Sequence, residues 1–418
     1  MPQEECKEKI LSEEYRDFMM RDTGALGENF PLENGCRIPL KYGFELLYID
    51  QSEDRKKSLA DYPYTMVPKC YTTLDMAAIQ QAGIAAVQNL PGLELSGEGV
   101  LVGIIDTGIN YLDPIFRNLD GSTRIWRIWD QEEQSGTAPR GIGYGSEYTK
   151  EQINQAILSE NPKETVPSFD TDGHGTFVAS VACGGANPEN LFIGAAPEAE
   201  MVIVKLKEAK EYLREYYFVD RDAGCYQEND LVAAVFYLQK VQEELKRPLV
   251  ICLAVGTSFG GHGGYSILSE YLQNVAASEG IGIVTGSGNE ADKRHHYLGI
   301  LEQENNLPVE INVGNNTRGF VMELWTELPN LLALSIASPT GQTVGPISLK
   351  RGIGEYVFVF EQTRVIFNYR VLVETTGAQL AFFQFDRPGS GIWKIIPETL
   401  ELGNGIFHIW LPMEEFLT

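Results

Sequence analysis

The chain has 418 residues, 43% of them hydrophobic, so it is long enough for two or three globular domains. Its formal net charge of −25, from 33 basic and 58 acidic residues, argues against nucleic acid as a partner, because phosphate-backbone binding needs clustered Lys and Arg. The sequence has no apolar run of about 18 residues, and its N-terminus, M-P-Q-E-E-C-K-E-K, lacks the basic start and apolar centre of a signal peptide. We therefore expect no membrane span and no Sec export.

The first seventy residues differ in their pattern of residue types from the rest of the chain. Charged and aromatic residues alternate there, and the pattern predicts a helix over Glu13–Met20 and a strand over Phe44–Ile49. Prolines at Pro63 and Pro68 predict an extended connector, since proline disfavours helix in the residue before it. A helix is predicted next, over Asp75–Gln88, where apolar residues share one face.

The middle of the chain alternates between predicted strands and helices. The apolar run from Gly99 to Gly108 is of buried-strand type and ends in Asp106. A loop-rich region follows over 110–140, and two tryptophans at the spacing found there are more often structural anchors than a ligand platform. Helices are then predicted over Thr149–Leu158, 174–183, Asn229–Leu245 and Ser266–Ser278, and strands over Glu200–Leu206, Leu249–Val255 and Ile281–Thr285. This alternation predicts a parallel sheet with helices on both faces, and sites at the carboxyl ends of its strands.

After Tyr297 the predicted elements are all β. Seven short runs are separated by turn residues: Val309–Val313, Phe320–Leu324, Leu331–Ala337, Tyr356–Glu361, Val365–Val373, Gln379–Phe385 and Phe407–Leu411. Their number and spacing predict a sandwich-like module of about a hundred residues.

The six cysteines are widely spaced and include no C-x-x-C pair. We expect reduced thiols, because a chain of this length needs no disulfide staples, and we expect neither a zinc site nor a catalytic cysteine. The positions are Cys6, Cys36, Cys70, Cys183, Cys225 and Cys252.

Three stretches carry the chemistry. Asp106 stands in D-T-G, His174 in D-G-H-G-T and Asn289 in T-G-S-G-N-E. They supply an orienting carboxylate, a general base and an amide donor for a developing oxyanion. Each residue alone has a structural explanation, as a turn residue, a hydrogen-bonded core histidine or a turn former, but together on an α/β pattern they favour a catalytic site. An aspartic protease would need two D-T-G aspartates, and only one such motif occurs.

These stretches resemble the Asp, His and oxyanion-hole Asn motifs of the subtilisin-like serine proteases, the subtilases. The run V-I-C-L-A-V-G-T resembles the strand whose backbone lines the substrate cleft in that family. The resemblance therefore implies a serine endopeptidase that hydrolyses peptide bonds, with Asp106, His174 and Asn289 as catalytic residues and no cofactor; calcium is left open. The implied substrate-binding residues are Ala254, Val255, Gly256 and Gly288.

Within the family, I-W-D-Q, V-K-L-K-E-A-K and F-H-I-W-L-P resemble a clostridial spore-germination protease group. There a short prodomain precedes the catalytic domain, and a jelly roll interrupts it after the oxyanion Asn. The implied domains are a prodomain-like segment (1–71), the N-terminal part of a subtilisin-like catalytic domain (72–302) and a β-sandwich insertion (303–418). The implied partners are a protein or peptide substrate and the chain's own prodomain, in the cytoplasm or associated with the spore.

One departure affects the mechanism. The family nucleophile lies in G-T-S-x-A-x-P after the oxyanion Asn, and no such motif follows Asn289 in these residues. Ser258 also stands in G-T-S, but it precedes Asn289 and continues as F-G-G-H-G-G, so we do not expect it to be the nucleophile. In the family the serine opens a central helix, and without that helix an apolar sheet face would meet water. We expect the front part of a longer protease, a chain completed by a partner, or an inactive pseudoprotease that binds or signals, for example in spore germination.

Overall fold

The computed structural model of the chain describes residues 3–21, 35–52, 58–73, 84–88, 95–187, 192–301, 308–347, 352–370, 372–373, 377–401 and 403–417. The helices are α1 (Gln3–Leu11), α2 (Ile84–Gln88), α3 (Lys150–Leu158), α4 (Pro162–Thr165), α5 (His174–Cys183), α6 (Glu211–Tyr217), α7 (Glu228–Leu245) and α8 (Ile267–Ala276). The strands of the first three sheets are β1 (Tyr15–Arg21), β2 (Cys36–Pro39), β3 (Phe44–Asp50), β4 (Cys70–Thr73), β5 (Leu101–Asp106), β6 (Ile125–Asp130), β7 (Ser146–Thr149), β8 (Glu200–Lys205), β9 (Tyr226–Gln227), β10 (Leu249–Leu253), β11 (Val255–Gly256) and β12 (Ile281–Thr285). The remaining strands are β13 (His296–Ile300), β14 (Val309–Val313), β15 (Gly319–Glu327), β16 (Leu331–Ala337), β17 (Thr343–Ile347), β18 (Ile353–Phe358), β19 (Thr363–Arg370), β20 (Ala378–Asp386), β21 (Gly391–Glu401) and β22 (Ile406–Trp410).

The central sheet has six strands in the order β12-β10-β5-β8-β6-β7. Its strands pair in parallel except for the edge strand β7, which is antiparallel to β6. Every residue of β5 is buried, as expected for a strand covered on both faces. The predicted parallel sheet, its strands and the helices between them are confirmed.

Helices cover the two faces of this sheet unequally. On one face α7 packs closely on β5, because a Cβ at Gly103 would lie 2.6 Å from Leu238. On the other face α5 covers Val102 and Ile104 of β5. The same face stays open towards β12, where the side chain of Val284 is 57% exposed. Apolar surface therefore meets water at the end of the sheet that α5 does not reach.

The N-terminal segment corrects one prediction. Residues 13–20 were expected to be helical, but β1 pairs with β3 along its whole length, in the antiparallel sheet β1-β3-β2. Phe18, Met19 and Met20 are buried in succession, so pairing and two-sided burial decide the conformation instead of a helical period. The predicted strand over Phe44–Ile49 is confirmed. Of the helix predicted over Asp75–Gln88, the part from Ile84 is helical and the rest lies outside the described residues.

The expectation that all six cysteines are reduced is wrong for two of them. Cys6 and Cys36 form a disulfide that joins α1 to β2, and their Cα atoms lie 5.5 Å apart. The sequence separation of 30 residues carries no sign of this pairing, because only the fold brings the two positions together. The thiols of Cys70, Cys183, Cys225 and Cys252 are free.

Two further local predictions need correction. The tryptophans of the region expected to be loop-rich lie on β6, which joins the central sheet beside β8. The predicted extended connector instead contains two 3-10 turns, Leu59–Asp61 and Tyr64–Met66. In both places burial of aromatic and apolar side chains organises residues whose local pattern is irregular.

The C-terminal part is all β, as predicted, and forms two antiparallel sheets. Six strands follow the order β13-β22-β15-β20-β19-β18 and four the order β14-β21-β16-β17. The sheets share one core, which includes Phe320, Phe385 and Trp393. Strands β13, β17 and β21 were not predicted; β21 begins at Gly391 and contains a proline, which weakens its strand pattern. The assignment of these sheets to a jelly roll stays a prediction.

The three parts of the chain are packed together. One cluster combines Phe18 of the N-terminal sheet, Leu213 of α6 and Phe382 of the six-stranded antiparallel sheet. Across the described ranges no helix is both long and apolar enough to cross a membrane.

Candidate active site

Asp106 and His174 lie against each other at the carboxyl edge of the central sheet. Asp106 is the last residue of β5 and its side chain is fully buried, whereas His174 opens α5 with 15% of its side chain exposed. The Nδ1 atom of His174 is 2.7 Å from Oδ1 of Asp106. The carboxylate favours the tautomer with its proton on Nδ1, and Nε2 is then the basic nitrogen.

A second carboxylate, Asp170, joins the two segments that carry this pair. Its Oδ1 accepts hydrogen bonds from Thr107 Oγ1 at 2.9 Å and from the Gly173 N–H at 2.8 Å. Its Oδ2 accepts from the N–H and the Oγ1 of Thr176, at 2.8 and 2.6 Å. Thr107 Oγ1 also accepts from the Gly175 N–H at 2.8 Å. The turn after β5 and the start of α5 are therefore held at one buried carboxylate.

Glycine is required on each side of the histidine, for a different steric reason at each position. Gly173 has φ +97°, in the left-handed region that side chains rarely adopt. A Cβ at Gly175 would lie 2.3 Å from the carbonyl oxygen of Gly108, so only glycine allows this close approach of α5 to the turn after β5. The G-H-G pattern therefore places the imidazole next to the carboxylate.

The pKa values of the Asp106 and Asp170 carboxyl groups are shifted in opposite directions. Burial raises the pKa of Asp106 above its ordinary value of 3.8, although the hydrogen bond and charge of His174 oppose this shift. Burial also acts to raise the pKa of Asp170, but hydrogen bonds from Thr176, Gly173 and Thr107 outweigh it, and the pKa lies below 3.8. Asp170 is therefore a permanent anion at neutral pH, suited to holding backbone N–H groups.

The other residues predicted for the site follow neighbouring strands. Ala254 comes directly after β10, and Val255 and Gly256 form β11. Gly288 and Asn289 lie in the loop after β12, which begins with a hydrogen bond from the Gly286 N–H to the Leu253 carbonyl. Because β5, β10 and β12 are parallel neighbours, these residues share the sheet edge where Asp106 ends.

An N-terminal strand that the sequence did not predict lies beside these residues. β4 is antiparallel to β11, with Thr73 opposite Val255 and Thr72 opposite Gly256. On its other side β4 is antiparallel to β9. A strand held between two others by backbone hydrogen bonds is one way in which proteins bind extended peptides.

A cavity of about 500 Å³ opens beside this strand. We call this cavity, together with the space between β9 and β11 that β4 fills, the cleft. Tyr71 of β4 reaches it, together with Leu231 and Phe259, and the buried carboxylate of Glu228 lies at its wall. Glu228 accepts a hydrogen bond from the Lys69 N–H at 3.2 Å and one from the Tyr71 hydroxyl at 3.5 Å. Sequence analysis did not single out these residues, since no local pattern relates β4 to α7.

Ser258, the serine of the G-T-S run, lies in the loop after β11 and is 7% exposed. Among the described residues no group of three or more His, Cys, Asp or Glu side chains is arranged to hold a metal ion.

The parallel sheet, the Asp–His pair at its carboxyl edge and the adjoining cleft strand together define a protein of the subtilisin-like fold. Residues 97–317, more than half of the chain, match the family model of the subtilases, peptidase family S8, and the chain belongs to this family.

Known proteins that resemble the chain are proteases. The CspB protease of Clostridium perfringens superposes with a TM-score of 0.68 and 29% sequence identity, over 80% of this chain and 65% of that one. The PI-type proteinase of Lactococcus lactis subsp. cremoris is 23% identical over 326 residues, which are 74% of this chain and 15% of that protein. The subtilisin-like protease SBT2.2 of Arabidopsis thaliana is 33% identical over 102 residues, 22% of this chain and 12% of the plant protein. The chain thus spans only a minor part of these curated relatives.

Proposed function

We propose that this chain carries the Asp–His part of a subtilisin-like serine endopeptidase that hydrolyses peptide bonds in proteins. The observation that carries the proposal is the 2.7 Å contact between His174 Nδ1 and the buried Asp106 carboxylate, beside the cleft strand. In this mechanism His174 takes the proton of a serine hydroxyl as the serine attacks a peptide carbonyl. Asp106 orients the imidazole and stabilises its protonated form, and the Asn289 amide donates to the oxyanion.

The nucleophile is proposed to come from outside these 418 residues. A serine at the start of a helix on the open face of the central sheet would complete both the chemistry and the core. The partly exposed Cys252 and the exposed Val284 support this placement, because they are register partners on β10 and β12, on the face of the sheet that α5 leaves open.

The N-terminal segment is proposed to act as a prodomain that aids folding and occupies the cleft. Its strand β4 lies between β9 and β11, where an extended substrate would bind. The two 3-10 turns before β4 and the shared apolar cluster support this arrangement, since they anchor the segment to the rest of the chain.

The test uses the product of the complete gene, with a fluorophosphonate serine probe and casein hydrolysis as readouts. We expect labelling and hydrolysis, and we expect His174→Ala to lower turnover by about 10⁶-fold. The exposed Glu160→Gln serves as the control and should retain full activity. Undiminished hydrolysis by His174→Ala would reject the assignment.

The second candidate is a catalytically inactive subtilase that binds or signals, for example in spore germination. The absence of a G-T-S-x-A-x-P motif after Asn289 favours it. In that case the complete gene product would neither react with the probe nor hydrolyse casein, although it would still fold with the Asp106–His174 pair in place.

A further inference from the structure

The C-terminal end of the β part reaches the strand that lies in the cleft. The hydroxyl of Thr72 donates a 2.6 Å hydrogen bond to Oε2 of Glu415, although 343 residues separate the two in sequence. Thr72 is only 3% exposed, so its side chain is enclosed where β4 pairs with β11. Glu415 is thus a wall of the space that the Thr72 side chain fills.

The turn that carries Glu415 is anchored to the catalytic part. It is the 3-10 turn Glu414–Phe416, and its carbonyl at Phe416 accepts a 3.0 Å hydrogen bond from the Asp220 N–H. The ring of Phe416 is 1% exposed and stacks on Phe259, with ring centroids 6.4 Å apart. The position of Glu415 is therefore determined by the fold on both sides of the cleft.

A second carboxylate of the β part also contacts the cleft. Oε2 of the buried Glu323 accepts hydrogen bonds from the Gly260 N–H and from Trp325 Nε1, both at 2.9 Å. Gly260 lies in the loop that follows β11, so the six-stranded sheet holds this loop in place. Two independent contacts therefore make the β part a piece of the cleft.

The Glu415 carboxylate retains acceptor capacity beyond its contact with Thr72. It is exposed, and it forms no ion pair with any residue that the structure describes, whereas the adjacent Glu414 pairs with Lys293 at 2.5 Å. An ionised carboxylate accepts hydrogen bonds and attracts cations, and it repels another carboxylate.

We propose that Glu415 is a specificity-determining residue of the cleft. It selects peptides that carry a hydroxyl or a cationic side chain, Thr, Ser, Lys or Arg, at the position that Thr72 occupies, and it rejects Asp and Glu there. This inference rests on the proposed function, in that β4 marks the path of a bound substrate. It assigns to the β part a role in substrate selection.

The test measures the binding of fluorescein-labelled hexapeptides to the complete gene product in which Gly and Ser replace residues 70–73, so that β4 no longer occupies the cleft. The peptides copy residues 68–73 with Ser in place of Cys70, and they carry Thr, Lys, Ala or Glu in place of Thr72. We expect the Lys and Thr peptides to bind about tenfold more tightly than the Glu peptide, as for a hydrogen bond to a charged group. Glu415→Lys should reverse the order of the Lys and Glu peptides, and Glu415→Gln should remove the difference between them. Glu414→Gln should leave the order unchanged.

Equal dissociation constants for all four peptides, or no binding, would overturn the proposal. An unchanged preference in Glu415→Lys would overturn it as well. Hydrolysis of casein by the same preparations is measured in parallel and tests the proposed function separately. A Glu415-dependent preference without hydrolysis would support the specificity role and reject proteolysis, and hydrolysis without such a preference would do the reverse.

Discussion

Asp170 shows how one buried side chain can support the Asp106–His174 pair without belonging to it. It accepts four hydrogen bonds, from the hydroxyls of Thr107 and Thr176 and from the N–H groups of Gly173 and Thr176. Of the three donor residues, Gly173 and Thr176 lie on either side of His174 in sequence, and Thr107 is next to Asp106. Any displacement of Asp170 therefore moves the imidazole relative to its carboxylate partner.

We predict that Asp170→Asn lowers the free energy of unfolding by about 3 kcal/mol at pH 7, since it removes a charged acceptor from buried donors. The matched control is Asp172→Asn, because Asp172 is exposed and accepts only the 3.1 Å bond from the His174 N–H among the described contacts. Asp172→Asn should lower the free energy of unfolding by only about 0.5 kcal/mol, which is roughly the stabilisation that a carboxylate gives at the start of a helix. Urea denaturation measures both.

The same variant has a defined pH dependence. The pKa of Asp170 is lower in the folded state than the ordinary 3.8, so its contribution to stability is present above pH 3.8 and is lost as pH falls through the folded-state pKa. The difference between the wild type and Asp170→Asn should therefore shrink below pH 3.8. A difference that stays constant down to pH 2.5 would show that folding does not lower the pKa of Asp170.

At the scale of elements, β13, β22 and the loop after β11 meet in a stack of aromatic rings. Trp410 lies between His262 and His296, with ring centroids 3.7 Å away on both sides. His296 Nε2 is also 3.0 Å from His408 Nδ1. The stacked Trp410 ring shields both imidazoles from part of the solvent, although both residues remain exposed, and this desolvation lowers the pKa of His262 and of His296 below the ordinary 6.5. The neighbouring histidines add to this effect.

A lowered histidine pKa stabilises the fold above pH 6.5, and this stability is lost as pH falls through the folded-state value. The thermal midpoint of the wild type should therefore fall between pH 7.5 and pH 5. We predict that this fall is about 1–2 °C smaller in His296→Phe, which keeps a ring on Trp410. Tyr297→Phe, at the next and outward-facing position, should leave that fall as in the wild type. An unchanged fall in His296→Phe would show that other groups cause it.

At the scale of the whole molecule, a buried ionic contact attaches the N-terminal sheet to the part of the chain that contains the central sheet. Asp17 is fully buried and accepts hydrogen bonds from Lys210 Nζ at 2.5 Å, Gln227 Nε2 at 2.6 Å and Asn229 Nδ2 at 3.2 Å. Burial lowers the pKa of Lys210, and the charge of Asp17 opposes this shift. Lys210 therefore depends on Asp17 to remain charged inside the protein.

We predict that Asp17→Ala lowers the free energy of unfolding by about 3–5 kcal/mol, because it leaves the ammonium group of Lys210 buried without its carboxylate. The double variant Asp17→Leu with Lys210→Met should recover most of this loss, since an apolar pair carries no desolvation penalty. Glu14→Ala, at an exposed position in the turn before β1, serves as the control. Urea denaturation gives the values, and a cost below 1 kcal/mol for Asp17→Ala would contradict the expected dependence.

The open face of the central sheet gives a second prediction at this scale. If a further segment of the complete gene product covers β12, Val284→Ser should destabilise that product by about 1–2 kcal/mol through lost apolar burial. Val357 of β18 is a matched control, because it is 54% exposed against 57% for Val284, and Val357→Ser should be nearly neutral. Equal small effects of the two substitutions would show that the face stays open.

Much of the fold and half of the candidate site could be predicted from the sequence, because these features are encoded locally. Apolar runs such as β5 and the helical period of α7 report burial over a few residues, and D-T-G and D-G-H-G-T combine a functional side chain with the turn that presents it. The prediction failed for β1, where pairing with β3 overrides a helical pattern.

Only the tertiary structure decided which distant residues meet. The disulfide between Cys6 and Cys36, the bond from Thr107 to Asp170 and the contact of Thr72 with Glu415 join segments that no periodicity relates. Each of these contacts depends on how separate elements pack against one another. Sequence by itself therefore determined most of the strands and helices and the Asp, His and Asn motifs. Packing decided the conformation of β1, the side chains that support the motifs and the walls of the cleft, because side-chain contacts follow distance in space and not along the chain.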